Sequence, residues 1–179
     1  MTTTSAASTT ASILPLFYKK VVPLNKEVHG ELYIEGIEGY SHTKETNSIY
    51  IAAVEFLQVS REYPIVFAKG VDGGIFPVAL LGLEKNKNLF IDTTGAWTAN
   101  YIPAYVRRYP FILATADDSK DNFTVCIDES FPGFNTAKEG KSLFDDKGAQ
   151  TDILNQAVDF LKDYQSHVKL TTIFCENLS

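Results

Sequence analysis

One segment restricts the fold more than any other. The apolar side chains Ile153, Ala157, Phe160, Leu161, Tyr164 and Val168 fall at i, i+4, i+7, i+8, i+11 and i+15. Gln156, Asp159, Lys162, Asp163 and Gln165 lie mainly on the other side. That spacing winds into one continuous stripe on an α-helix, with Thr151 or Asp152 placed to cap its start. The pattern reaches Ile173 and Phe174 unless Thr171 and Thr172 interrupt it. An amphipathic helix of this length must lay its stripe on a second layer, which the rest of the chain has to supply.

The upstream chain reads as strands. Residues 30–36 alternate, with Leu32 and Ile34 on one side and Glu31, Tyr33 and Glu35 on the other. Residues 65–68 read as a buried strand ended by the glycine-rich turn at 70–74. Residues 77–83 and 88–92, joined across a short polar connection, are expected to form an antiparallel hairpin. Residues 109–115 and 123–128 form a second hairpin. The glycine-rich stretches 36–47 and 131–148 read as loops. Residues 48–63 mix helix and strand formers, and a strand at the start, or a strand followed by a tight turn, fits them better than one long helix. Pro15 and Pro23 oppose a helix in the lead-in, residues 13–22. The resulting class is α+β, a mainly antiparallel sheet of hairpins packed by a C-terminal amphipathic helix. Residues 1–12, rich in Thr, Ser and Ala, read as a disordered tail, and residues 13–179 as a single domain.

Charge and composition exclude some functions. A formal charge of −6 argues against a general nucleic-acid binder, which needs a basic face. The N-terminus has no basic residue and no apolar run, so it is a poor export signal, and no stretch is apolar enough for a membrane span. The expected location is the cytoplasm, without membrane insertion. Cys126 and Cys175 have no zinc-type spacing, and Cys126 lies in the apolar run at 123–127, where core packing is the natural reading.

No catalytic constellation emerges. His29, His42 and His167 have no metal-ligand spacing beside them, no nucleophile elbow occurs, and the glycines at 70–74 match no phosphate loop. Asp145 and Asp146 lack the alternating oxygen ligands of a calcium loop. No catalytic residue, metal or cofactor is therefore assigned.

Two groups of charges stand out. Glu55, Arg61 and Glu62 interrupt an apolar segment; on a strand Glu55 and Arg61 would share a face, as an ion pair or a site. Residues 97–113, WTANYIPAYVRRYPFIL, hold the only Trp and adjacent arginines. In extended geometry Tyr105, Arg107 and Tyr109 line one face, with Val106 and Arg108 on the other. An arginine between tyrosines stacks on their rings and presents a planar fork to a carboxylate or phosphate. One reading is a cleft for a peptide terminus, an anionic small molecule or a sugar, with Trp97, Tyr105, Arg107, Arg108 and Tyr109 as ligand-binding residues. The other is a structural network pairing the guanidinium groups with Glu55, Glu62 or Asp128.

The runs VEFLQVSREYPIVFAKG (54–70), ALLGLEKNKNLFID (79–92), W-x₃-YIPAYVRRYPFILA (97–114), VCIDE (125–129) and AVDFLKDYQ (157–165), with the lead-in PLFYKKVVPLNKEVHG (15–30), resemble the SapC family in order and over nearly the whole chain after the tail. The resemblance implies a bacterial protein whose family name derives from a surface-layer (S-layer) locus. Related genes stand near TonB-dependent transporters, cupin-like proteins and flavin-dependent halogenase-like proteins. No catalytic residues come with the family. Its typical members continue past the helix with another helical segment, so this chain is expected to be a short or truncated member. The expected role is a non-catalytic accessory or binding protein of a nutrient-uptake or cell-surface system, recognising a small ligand or a protein partner but no nucleic acid. Partnership with a halogenase- or oxygenase-like enzyme, or a part in an S-layer or secretion system, is the alternative. Oligomerisation is left open.

Overall fold

A computed structural model describes residues 14–36, 39–115 and 123–178. The tail at 1–12 and the hairpin turn at 116–122 lie outside the described residues. In chain order the first elements are β1 (Val21–Pro23), α1 (Lys26–His29), β2 (Tyr33–Ile34), β3 (Ser48–Tyr50) and α2 (Phe56–Val59). They are followed by β4 (Ile65–Lys69), β5 (Ile75–Leu80), α3 (Ala104–Arg107), β6 (Phe111–Thr115) and β7 (Phe123–Asp128). The chain closes with β8 (Phe134–Asn135), β9 (Lys141–Ser142) and α4 (Asp152–Glu176). The strands form three antiparallel sheets, ordered β1-β7-β6, β8-β2-β9 and β3-β5-β4. The α+β class and the covering helix are as the sequence predicts.

Helix α4 runs on through Thr171 and Thr172, whose hydroxyls turn back to the carbonyls of His167 and Val168 and so do not break it. Its buried positions are Leu154, Leu161, Tyr164, Thr171 and Cys175, with Ala157 and Val168 half-buried between them. Steps of three and four keep these on one seam against β5, β6 and the turn at Ala53–Glu55. Leu154 and Leu161 join Phe111, Ile127, Leu143 and Phe144 in one core cluster. Each fully buried leucine contributes about 1.5–3 kcal/mol. Ile49, Ile51, Val59, Tyr63, Leu81 and Val106 build a second cluster.

The β6–β7 hairpin forms with Phe111 opposite Ile127 and Leu113 opposite Val125. Residues 48–63 resolve into a strand followed by short helical turns. Other expectations are corrected. β4 is an edge strand with Val66 and Phe67 exposed, not a buried one. Only Tyr33–Ile34 of residues 30–36 pairs as a strand, and β8 and β9 lie within the stretch read as a loop. The hairpin expected between 77–83 and 88–92 does not form. β5 instead pairs β4 across the turn at Gly70 and Gly74, and β3 on its other side. Ladder pairing with β3 stops at Tyr50, where Pro77 has no N–H to continue it, though Ile51 N–H still donates to the Pro77 carbonyl. Of residues 88–92 only Leu89 N–H still reaches that segment, at Leu81 O, while Asn88 is buried, its backbone N–H donating to Lys44 O and its side chain to Thr43.

Candidate functional site

Residues 104–108 wind into a helical turn, because Pro103 sets the chain direction and its carbonyl accepts the first helical bonds, from Val106 and Arg107. The extended face expected for Tyr105, Arg107 and Tyr109 therefore does not exist. A helical turn instead places Tyr105 and Arg108 three residues apart on one side. The Arg108 guanidinium lies 3.9 Å from the Tyr105 ring centroid and 5.3 Å from that of Tyr164. Arg107 lies 5.0 Å over Phe160 and 5.8 Å over Tyr101, with its Nε donating to Ile102 O at 2.9 Å. Among the described residues neither arginine forms an ion pair, and the enclosed Nε of Arg108 meets no acceptor.

The carboxylates expected to answer those arginines are occupied by other donors. Buried Glu55 accepts from the Ala52 and Ala104 backbone N–H groups at 2.8 Å each and from the Tyr101 hydroxyl at 2.9 Å. Glu62 accepts from the backbone of Asn100 and Tyr101 and from the Asn100 side chain, and these bonds hold its carboxyl below the usual range. Arg61 reaches only Gln58, its neighbour on the exposed turn. Asp128, fully buried, accepts from the Lys19, Lys20 and Ser130 backbones and from the Ser130 hydroxyl. Burial pushes the Asp128 carboxyl up, but these bonds outweigh it and hold it below the usual carboxylate range.

The arginines line a cleft of about 520 Å³. One wall is the first half of α4, through Ile153, Gln156, Ala157 and Phe160; another is the segment from Arg107 to Phe111, whose Tyr109–Pro110 peptide is cis. The end of β2, with Ile34 and Glu35, and the start of β9, with Gly140 and Lys141, close the rest. Gly140 adopts a φ of +83° and passes so close to the Ile34 carbonyl that a side chain has no room. This close passage lets the strand bring Lys141 to the cleft.

Of the five residues expected to bind ligand, Arg107, Arg108 and Tyr109 line this cleft, and Tyr105 supports Arg108 from behind. Trp97 is placed elsewhere: its Nε1–H donates to the Tyr63 hydroxyl at 2.8 Å, and its ring stacks on Phe90 in the Ile49 cluster. Glu35, Lys141 and the outer face of α4 were not identified from the sequence. A signal for α4 existed, because a stripe containing both Ile153 and Phe160 beside Ala157 and Leu161 is wider than one core seam.

Tyr109 also walls a second cavity of about 650 Å³, which shares Glu35 and Gly36 with the first and holds Lys19 and His42. The His42 ring stacks on Tyr109 at 4.5 Å and meets Phe17 edge-on at 5.3 Å, and its buried Nε2 has no hydrogen-bond partner among the described residues. Burial, reinforced by the Lys19 charge, pushes this imidazole down to about 4. The native value lies below that of the unfolded chain, so the contribution to stability is complete above pH 6.5 and is lost as pH falls towards 4. After allowance for partial solvent screening the loss is on the order of 2 kcal/mol. Thermal melts between pH 4 and 7 are expected to show this slope, and to show it reduced in His42→Phe, which keeps the stack without the titration. Equal slopes in both proteins would refute the assignment.

Among the described residues no cluster of three or more His, Cys, Asp or Glu side chains could hold a metal ion, and no helix is long and apolar enough to cross a membrane. Fold and cleft together define an α+β protein with an arginine-lined, half-apolar cleft between its long helix and its sheets. The SapC family model matches residues 24–179, so the chain belongs to the SapC family. No curated protein and no solved structure matches it.

Proposed function

We propose that this chain is a non-catalytic binding protein that takes a small anionic ligand in the cleft beside Arg107 and Arg108. The observation that carries the reading is the pair of adjacent guanidinium groups, held on aromatic rings and ion-paired to no carboxylate among the described residues. Cations already oriented by ring faces lose little further freedom when an anion arrives. Family membership supports placing such a binder as an accessory of a bacterial nutrient-uptake or cell-surface system.

Thermal-shift and calorimetric titrations against sugars, amino acids, peptides and simple organic anions test the reading. Anionic compounds are expected to stabilise the protein and neutral sugars are not. Arg107→Ala, at an exposed position, should weaken binding by about 1.5–3 kcal/mol, roughly ten- to a hundredfold. Arg108→Ala should weaken it too and also lower the melting temperature, since Arg108 packs on Tyr18, Tyr105 and Tyr164. Unchanged affinity in both variants would remove the site.

A second reading, docking on a protein such as a halogenase- or oxygenase-like enzyme or a surface-layer component, is favoured by one observation. Phe56, Phe67 and Phe174 meet edge-on or tilted at 6.2–6.5 Å, beside exposed Val54, Leu57 and Ile173. Apolar groups gathered in this way mark contact surfaces. Absence of any complex on purification from the native organism would count against it.

A further inference from the structure

Building on the anion-binding reading of the cleft, we infer that its ligand is a monocarboxylate with a compact apolar body, such as an aryl- or cycloalkyl-substituted acid. Helix α4 is apolar over a wider arc than its core seam uses. Leu154, Leu161, Tyr164, Thr171 and Cys175 are buried in that seam. Ile153 and Phe160, at i and i+7 beside it, line the cleft together with Ala157 at the seam's margin, although Ile153 and Ala157 also touch the core cluster. Opposite stand Ile34, Pro110 and Phe111, so hydrocarbon faces hydrocarbon across the space. A small hydrophilic anion would leave these walls wet; an apolar body would displace that water.

The charge sits at the edge of the apolar wall. Arg107 lies 5.0 Å over Phe160 while Ile102 O holds its Nε, so a carboxylate reaching this guanidinium lays its own hydrocarbon against the Phe160 side of the cleft. Arg108 and Lys141 add positive charge, and among the described residues Glu35 is the one carboxylate in the lining. The balance attracts an anion, while Glu35 opposes a second negative group on the ligand's far end. A planar carboxylate also matches the guanidinium fork, which can bind it through two parallel hydrogen bonds.

Calorimetry on the full chain tests this with 3-phenylpropionate, its neutral amide, acetate and inorganic phosphate as probes. The expected result is that 3-phenylpropionate binds at least tenfold tighter than the amide, acetate or phosphate. Phe160→Ala, which also removes the ring under Arg107, should weaken 3-phenylpropionate about tenfold more than it weakens acetate, while Arg107→Gln should weaken both acids alike. Ile153→Ser serves as a second wall variant, and melting curves verify that each variant is folded. If phosphate or acetate binds as tightly as 3-phenylpropionate and the wall variants change nothing, the apolar acid is overturned while the anion site stands. If the amide matches the acid, or no anion binds, the anion site falls with it.

Discussion

Asp128→Ala is expected to lower the free energy of unfolding by about 3–5 kcal/mol, the range for removing one partner from a buried charged network. Its carboxylate receives Lys19 N–H at 2.8 Å, Lys20 N–H at 3.0 Å, and the N–H and hydroxyl of Ser130 at 3.0 and 2.7 Å. It thereby ties the segment entering β1 to the turn that leaves β7. Alanine would leave three backbone donors, now in part-buried bonds, without their acceptor. Asp128→Asn keeps one acceptor oxygen but turns an NH₂ towards donors, so it should cost less than alanine but remain destabilising. Urea unfolding monitored by fluorescence measures both. A midpoint shift corresponding to less than 1 kcal/mol for Asp128→Ala would show that the turn is held by something else. Because the native carboxyl lies below its ordinary value, its contribution persists above pH 3.8 and fades as pH falls below it. That window lies below the one expected for His42, so the two titrations can be separated.

Glu55→Ala is expected to cost about 3 kcal/mol and to weaken ligand binding as well. Glu55 binds the Ala52 backbone with one oxygen, and the Ala104 backbone and Tyr101 hydroxyl with the other. Ala104 begins the helical turn that carries Arg107 and Arg108, so the buried carboxylate positions the cationic side of the cleft without touching it. Glu55→Gln retains an acceptor for Ala104 and should lose less of both properties. The readouts are the unfolding midpoint and the affinity for an organic anion, measured where the variant is still folded. Loss of stability with wild-type affinity would confine Glu55 to packing, and no loss of either would contradict its role as a hub.

These two carboxylates show where sequence reasoning stops. Glu55 was recognisable as a charge inside an apolar segment, which needs partners, and Asp128 only as a candidate partner for the arginines. Pairing them with Arg107 or Arg108 assumed that the nearest unexplained cations would answer them. Their partners are instead main-chain donors, some more than a hundred residues away, as Lys19 and Lys20 are from Asp128. Every residue type except proline carries an N–H, so composition holds no trace of such a bond.

The same limit explains the strand errors. The β6–β7 hairpin was legible because its two alternating runs are neighbours in the chain. The pairing of β5 was not, since residues 88–92, which follow it, lost to β4, which precedes it, and to β3, with Asn88 drawn away to Thr43 and Lys44. The extended reading of residues 105–109 failed through four residues of helix after Pro103, too short for any periodicity to reveal.

By itself the sequence determined the long C-terminal helix, the antiparallel α+β class and the family. Each of these rests on local periodicity or on a run of adjacent residues. The tertiary structure alone decided that Trp97 belongs to the core, that Ile153 and Phe160 face a cleft, and that Glu35 and Lys141 complete it. The cleft is built from four segments, around residues 34, 107, 140 and 153, which share no spacing in the chain. Burial of the Leu154–Leu161 seam sets the rotation of α4, and that rotation determines which of its apolar residues are left to line the cleft.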